Sequence, residues 1–207
     1  MKLIIDKISH GDEALAWRQP VDVALDHHGP VDVAYDPLPP DFLHRPLFAL
    51  FESVVARNPT ALALADETSR VSYGALHAKA VTLARQIIAT VPAGRAVAML
   101  LPQSADAVAA VLACLATSRV VLLLNAEHPD ERNATILQDS GVAAVILSSA
   151  APIPSWLPND VLHIVVPPAS DDTIEAIQLP SVLAMPDEPA VVLYTSGSTG
   201  RPKGIVQ

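Results

Sequence analysis

The chain has 207 residues, 51% of them hydrophobic and 17% charged, with a formal net charge of -9. The hydrophobic share is enough for a buried core, and so little charge argues against general disorder. With no basic run to offset the acidic balance, a nucleic-acid surface built on electrostatics is excluded, while a local loop on such a protein can still hold an anion.

Proline is abundant, with 19 residues. Five of them, Pro20, Pro30, Pro37, Pro39 and Pro40, fall in residues 1–45 among scattered acids, so this stretch reads as a lead-in or linker segment. One short strand, Val31 to Tyr35, is expected within it. His27-His28 has no partner cluster and reads as solvated loop rather than metal ligands. The opening Met1 to Lys7 has too short an apolar run for a signal peptide.

From Leu47 the pattern is helical, with Leu47, Leu50, Phe51, Val54 and Val55 expected on one face. Asn58-Pro59 ends it, because a residue before proline avoids the helical region. Ala61 to Ala65 and Arg70 to Tyr73 read as two strands around the turn Asp66-Glu67-Thr68-Ser69. A second helix carries Leu76, Ala80, Leu83 and Ile87 at helical spacing.

Strands and helices then alternate. Val97 to Leu101 is an apolar strand, and Ser104 can cap a helix running to about Ala116. Val120 to Leu124 is a second apolar strand. The break at Thr117-Ser118-Arg119 makes this helix-then-strand rather than a membrane span, so no membrane association and a cytoplasmic location are expected. Cys114, the single cysteine, cannot form an intrachain disulfide and sits in an apolar helical pattern, as a buried inert thiol would. Pro129-Asp130-Glu131 opens the next helix and Gly141 closes it. Val142 to Leu147, Val161 to Val166 and Ala190 to Tyr194 complete the strands, the last two joined by a Pro- and Asp-rich connection. Uninterrupted apolar strands alternating with helices predict an α/β fold, a mostly parallel sheet flanked by helices.

The sharpest chemical signal closes the chain. The apolar strand Val191 to Tyr194 runs into Thr195-Ser196-Gly197-Ser198-Thr199-Gly200-Arg201-Pro202-Lys203-Gly204. Glycines permit close backbone approach, successive N–H groups can form an anion-binding nest, and hydroxyls and Lys203 add donors and one compact positive charge. A polyphosphate is the natural ligand, held by Thr195, Ser196, Gly197, Ser198, Thr199, Gly200 and Lys203. Residues Thr195 to Lys203 are expected to form a mobile, exposed loop. A Gly/Ser linker would not be preceded by a buried strand and closed by Pro-Lys-Gly. The G-x-x-x-x-G-K-[ST] phosphate loop does not fit either, since Pro202 stands five residues after Gly197 and Gly204 follows Lys203.

These eleven consecutive residues, Tyr194 to Gly204, resemble the signature loop of the adenylate-forming, or AMP-binding, superfamily. The resemblance covers about residues 45–207. Leu50-Phe51-Glu52 with Ala56-Arg57-Asn58-Pro59, Val71 to Leu76, His128 to Arg132 and Leu137 to Gly141 are similar to successive upstream motifs. The pattern is most similar to nonribosomal peptide synthetase adenylation domains, although Thr117-Ser118-Arg119 stands where the family has Lys-Ala-Gly, and Leu123-Leu124-Asn125 where it has Pro-Leu-Asp or Pro-Leu-Asn.

The resemblance implies that residues 46–207 are the N-terminal portion of the large domain of such an enzyme, truncated after the phosphate loop. It implies ATP-dependent activation of a carboxylic acid, an amino acid being expected, as an acyl-adenylate with release of pyrophosphate. Transfer to a phosphopantetheine or coenzyme A thiol follows. ATP with Mg2+ is then a substrate, and the partners are the acid, a carrier protein or coenzyme A, and the remaining part of the adenylation domain. No catalytic residue and no metal ligand is expected within 1–207. Residues 1–207 alone should therefore show no carboxylate-dependent ATP–pyrophosphate exchange, and robust exchange by the purified chain would contradict this reading. The alternative is a non-catalytic domain or split fragment serving as an interaction module.

Overall fold

The structure, a computed structural model, describes residues 41–65, 69–166, 188–196 and 202–207. The lead-in strand at 31–35, His27-His28, most of the 66–69 turn and most of the 167–189 connection lie outside them.

After a 3-10 turn at Phe42–His44, α1 spans Leu47–Arg57 and ends at Asn58 as the following proline requires. Its buried face is rotated from the sequence expectation. Leu47 is exposed, and Phe48 is the buried residue, its ring 5.9 Å from those of Phe51 and His77. The stacking partner on a distant helix, invisible to periodicity, decides which side faces in. Antiparallel strands β1 (Leu62–Ala65) and β2 (Arg70–Ser72) follow. The expected strand residue Tyr73 instead begins α2 (Tyr73–Thr90), because the Ser72 hydroxyl accepts the Ala75 N–H and caps the helix. Leu76, Ala80, Leu83 and Ile87 are all buried along one stripe of α2.

The next six strands are β3 (Ala96–Leu100), β4 (Val120–Leu123), β5 (Ala144–Leu147), β6 (Leu162–Val165), β7 (Val191–Ser196) and β8 (Pro202–Val206). They form one sheet in the order β6-β5-β3-β4-β7-β8. Every pairing is parallel except β7 with β8. Helix α3 (Ala105–Leu115) joins β3 to β4, with Ser104 as the expected cap, and α4 (Asp130–Ser140) joins β4 to β5.

Both faces of the sheet are covered, which is why its strands lack polar alternation. Val97, Met99, Val121 and Ile146 pack beneath α2 and α3. Ala98, Leu122, Val145 and Leu147 pack beneath α4 through Ile136 and Leu137. Among the described residues, no helix is long and apolar enough to cross a membrane.

Cys114 is fully buried in the first of these layers. Burial pushes its thiol up to about 12, against a smaller downward pull from the Arg119 guanidinium. In the unfolded chain the thiol ionises near its ordinary value, so the neutral buried form contributes stability that is whole below about pH 9 and declines as pH rises towards 12. We expect Cys114→Ala to flatten the alkaline limb of a denaturation-midpoint-against-pH curve, and a thiol reagent to label Cys114 only on unfolding. Fast labelling of the native chain would contradict this burial.

The Thr117-Ser118-Arg119 break ends α3 in a specific way. The Arg119 N–H bonds the Cys114 carbonyl at 3.0 Å, closing the turn around Ser118, whose φ is 50°. This is the left-handed C-cap position where glycine is usual. The Arg119 guanidinium then donates to the carbonyls of Val91 and Thr117, tying the end of α2 to this turn. A left-handed non-glycine residue costs about 1–2 kcal/mol. Part of that returns as unfolded-state entropy when glycine is introduced, and the Ser118–Glu188 hydrogen bond at 3.4 Å is long. Ser118→Gly should therefore stabilise the fold by about 0.5 kcal/mol, raising Tm by about 2 °C in a thermal melt.

Candidate phosphate-binding site

Helix α3 lies on one face of the sheet and α4 on the other, so the chain leaves β3 and β4 in opposite directions. In open α/β sheets such a switch point creates a crevice at the carboxyl ends of the strands, where ligands bind. Strand β7 pairs in parallel with β4, through Val121 with Val191 and Leu122 with Val192. Its carboxyl end therefore opens at the same edge, beside the turn after β4. That turn is held by Asn133, a buried α4 residue whose side-chain amide donates to the Asn125 carbonyl at 2.9 Å.

The hairpin that leaves this edge differs from expectation. Thr195, Ser196, Pro202 and Lys203, expected in a loop, lie in strands, with Thr195 opposite Lys203 and Ser196 opposite Pro202. Proline is tolerated as the first residue of an edge strand, where its missing N–H costs no ladder bond, and the β-branched Thr195, Ile205 and Val206 suit an extended pair. Gly197, Ser198, Thr199 and Gly200 lie in the connection outside the described residues.

Residues directly opposite in an antiparallel pair point to the same face, with Cβ atoms about 5 Å apart. Thr195 and Lys203 thus present a hydroxyl and an ammonium side by side, both exposed, at the base of the Gly/Ser/Thr connection. Among the described residues, no carboxylate lies within ion-pair distance of Lys203, nor does any group of three His, Cys, Asp or Glu side chains gather as a metal site.

The opposite face of the hairpin carries Tyr194 and Gly204, also directly opposed. A Cβ on Gly204 would come within 3.1–3.3 Å of the Tyr194 ring and hydroxyl, so the ring lies over the glycine. The Tyr194 hydroxyl donates to Asp139 Oδ2 at 2.6 Å. Burial first, and then the hydrogen bond to and charge of Asp139, push the phenol up to about 12, so it remains a donor at neutral pH. Sequence reasoning placed Tyr194, Gly204 and Asp139 within motifs without giving them a role. The only available signal was the ten-residue spacing of Tyr194 and Gly204, which needs the hairpin register to be interpretable.

The profile of the family described as AMP-binding enzyme matches residues 51–207. The chain belongs to that family. It is 34% identical over 163 residues to the dimodular nonribosomal peptide synthase of Bacillus subtilis (strain 168), covering 76% of this chain and 7% of that protein. Among solved structures it is similar to a nonribosomal peptide synthetase in its alpha-methyl-L-serine-AMP bound form, with TM-score 0.69 and 26% identity, covering 83% of this chain and 18% of that one. It is also similar to the o-succinylbenzoate coenzyme A synthetase of Bacillus subtilis in complex with AMP, with TM-score 0.62 and 29% identity, covering 79% of this chain and 42% of that one. The chain thus spans less than half the length of each of these relatives.

Proposed function

We propose that this chain supplies the ATP-phosphate half-site of an enzyme that activates a carboxylic acid, an amino acid above all, as its adenylate. The single observation that carries this reading is the register of Thr195 with Lys203 at the mouth of the Gly/Ser/Thr connection, on the strand beside the switch-point crevice. A carboxylate oxygen of the acid attacks the α-phosphorus of Mg-ATP. The bond to the bridging oxygen breaks, and pyrophosphate leaves with the electron pair. Backbone N–H groups of residues 197–200, the hydroxyls of Thr195, Ser196, Ser198 and Thr199, and the Lys203 ammonium hold the β- and γ-phosphates and offset the charge that grows on the leaving group. Mg2+ arrives with ATP as part of the substrate. A thiol of phosphopantetheine on a carrier protein, or of coenzyme A, then displaces AMP from the acyl carbon. The relatives' synthetase names and the family profile support this reading.

The test is acid-dependent ATP–pyrophosphate exchange by the full-length protein against a panel of amino acids and other carboxylic acids. The expected result is exchange with a narrow subset of the panel. A folded full-length protein that neither binds Mg-ATP nor exchanges pyrophosphate with any acid would overturn the proposal.

A further inference from the structure

The Tyr194–Asp139 hydrogen bond lies on the hairpin face opposite Thr195 and Lys203, yet three features single it out. First, Asp139 stands one residue from the C-terminus of α4, where the partial negative charge of the helix end disfavours a carboxylate. Its position runs against local helix preference, and the group it meets is the phenol of the hairpin. Second, the residue facing Tyr194 across the hairpin is Gly204, whose lack of a side chain leaves the space the ring occupies. Third, a cavity of about 260 Å³ lies alongside, lined in part by Ser140, Val192 and Val206. The ring packs against the apolar layer beneath α4 with open space on one flank, and the hydrogen bond adds a directional tie to the helix.

We propose that Tyr194 and Asp139 form a clasp that anchors the β7–β8 hairpin to α4 and so holds Thr195 and Lys203 in register at the phosphate site. Both are positioning residues, and their effect on ATP rests on the proposed function. Tyr194 immediately precedes Thr195 on β7 and points to the other face, so a shift of its ring is passed through one peptide unit to the hydroxyl and lysine pair. The hairpin is at the sheet edge: β7 is held by β4 at Val191 and Val192, whereas β8 has no strand beyond it among the described residues and gains from the tie to α4.

The experiment compares Tyr194→Phe, Asp139→Ala, Asp139→Asn and the Phe/Ala double variant in the full-length protein, by amide hydrogen exchange and by Mg-ATP titration. Tyr194→Phe and Asp139→Ala are each expected to speed exchange of the amides in 195–203 by about three- to tenfold, the double variant no more than either single. Asp139→Asn keeps an acceptor oxygen and should restore most of the protection. The apparent affinity for Mg-ATP should fall by a similar factor in the first two variants, while thiol transfer from pre-formed acyl-adenylate is unchanged. Unaltered exchange at 195–203, strictly additive effects, or a uniform rise that includes the amides of β3 would overturn the clasp. Failure of the wild-type protein to bind Mg-ATP would count against the proposed function instead, and the clasp would stand or fall on the exchange pattern.

Discussion

Lys203→Ala in the full-length protein is expected to slow formation of the acyl-adenylate about a hundredfold and to weaken ATP binding. Lys203 is the exposed cation directly opposite Thr195, at the end of the Gly/Ser/Thr connection proposed to hold the phosphates. A charge-assisted hydrogen bond to phosphate is about twice as strong as a neutral one. Loss of one transition-state donor costs about a hundred- to a thousandfold in rate. The exposed edge strand and incompletely desolvated pyrophosphate favour the lower end. Lys203→Arg should recover only part of the loss, since a planar fork replaces a point charge. Transfer of the acyl group to thiol from pre-formed adenylate should be nearly intact, because pyrophosphate has by then departed. Single-turnover kinetics of the two half-reactions separate these effects. An unchanged adenylation rate, or a larger defect in transfer than in adenylation, would remove Lys203 from the role assigned to it.

Leu83→Ala is expected to destabilise the fold by about 3–4 kcal/mol, a large fraction of the 5–15 kcal/mol typical of a domain. Leu83 is fully buried on α2, in the layer where Ile87, Val97, Ala113 and Val121 meet. Its neighbours belong to a helix pair and a parallel sheet that cannot collapse independently, so the lost contacts and the residual cavity both count. Tm should fall by about 10 °C. Leu47→Ala, by contrast, removes an exposed side chain and should change stability by less than about 0.5 kcal/mol. Denaturant titration of the two variants checks both values. A Leu83→Ala loss below about 1 kcal/mol would mean that the layer under α2 repacks freely.

The parts of the fold legible in the sequence were those fixed by local chemistry and burial on two faces. Val97 to Leu101 and Val120 to Leu124 read as strands because each is apolar without interruption, and the strands found there, Ala96–Leu100 and Val120–Leu123, are covered by helices on both sides. Ser104 and Gly141 marked helix ends because a side-chain acceptor and a left-handed φ of 56° are local requirements. What was not legible depended on partners far along the chain. Phe48 displaces Leu47 from the core through its stacking on His77. Strand β8 contains Pro202 and Gly204, both read as loop, and becomes extended only by pairing with β7. The left-handed Ser118 carries no sequence mark, since serine is usual in turns of many kinds. In the candidate site, the residue types of Thr195 and Lys203 announced an anion, but their register did not follow from spacing alone. The clasp joins residues 55 apart in sequence and could not have been inferred without the crossing of α4 and the hairpin.

In the proposed function the β7–β8 hairpin and its connection receive the β- and γ-phosphates of ATP. The most direct measurement is a crystal structure of the full-length protein with Mg2+ and a non-hydrolysable ATP analogue. It should place phosphate oxygens within about 2.7–3.2 Å of Lys203 Nζ and of backbone N–H groups in residues 197–200. Triphosphate bound elsewhere, with Lys203 left in solvent, would contradict the account.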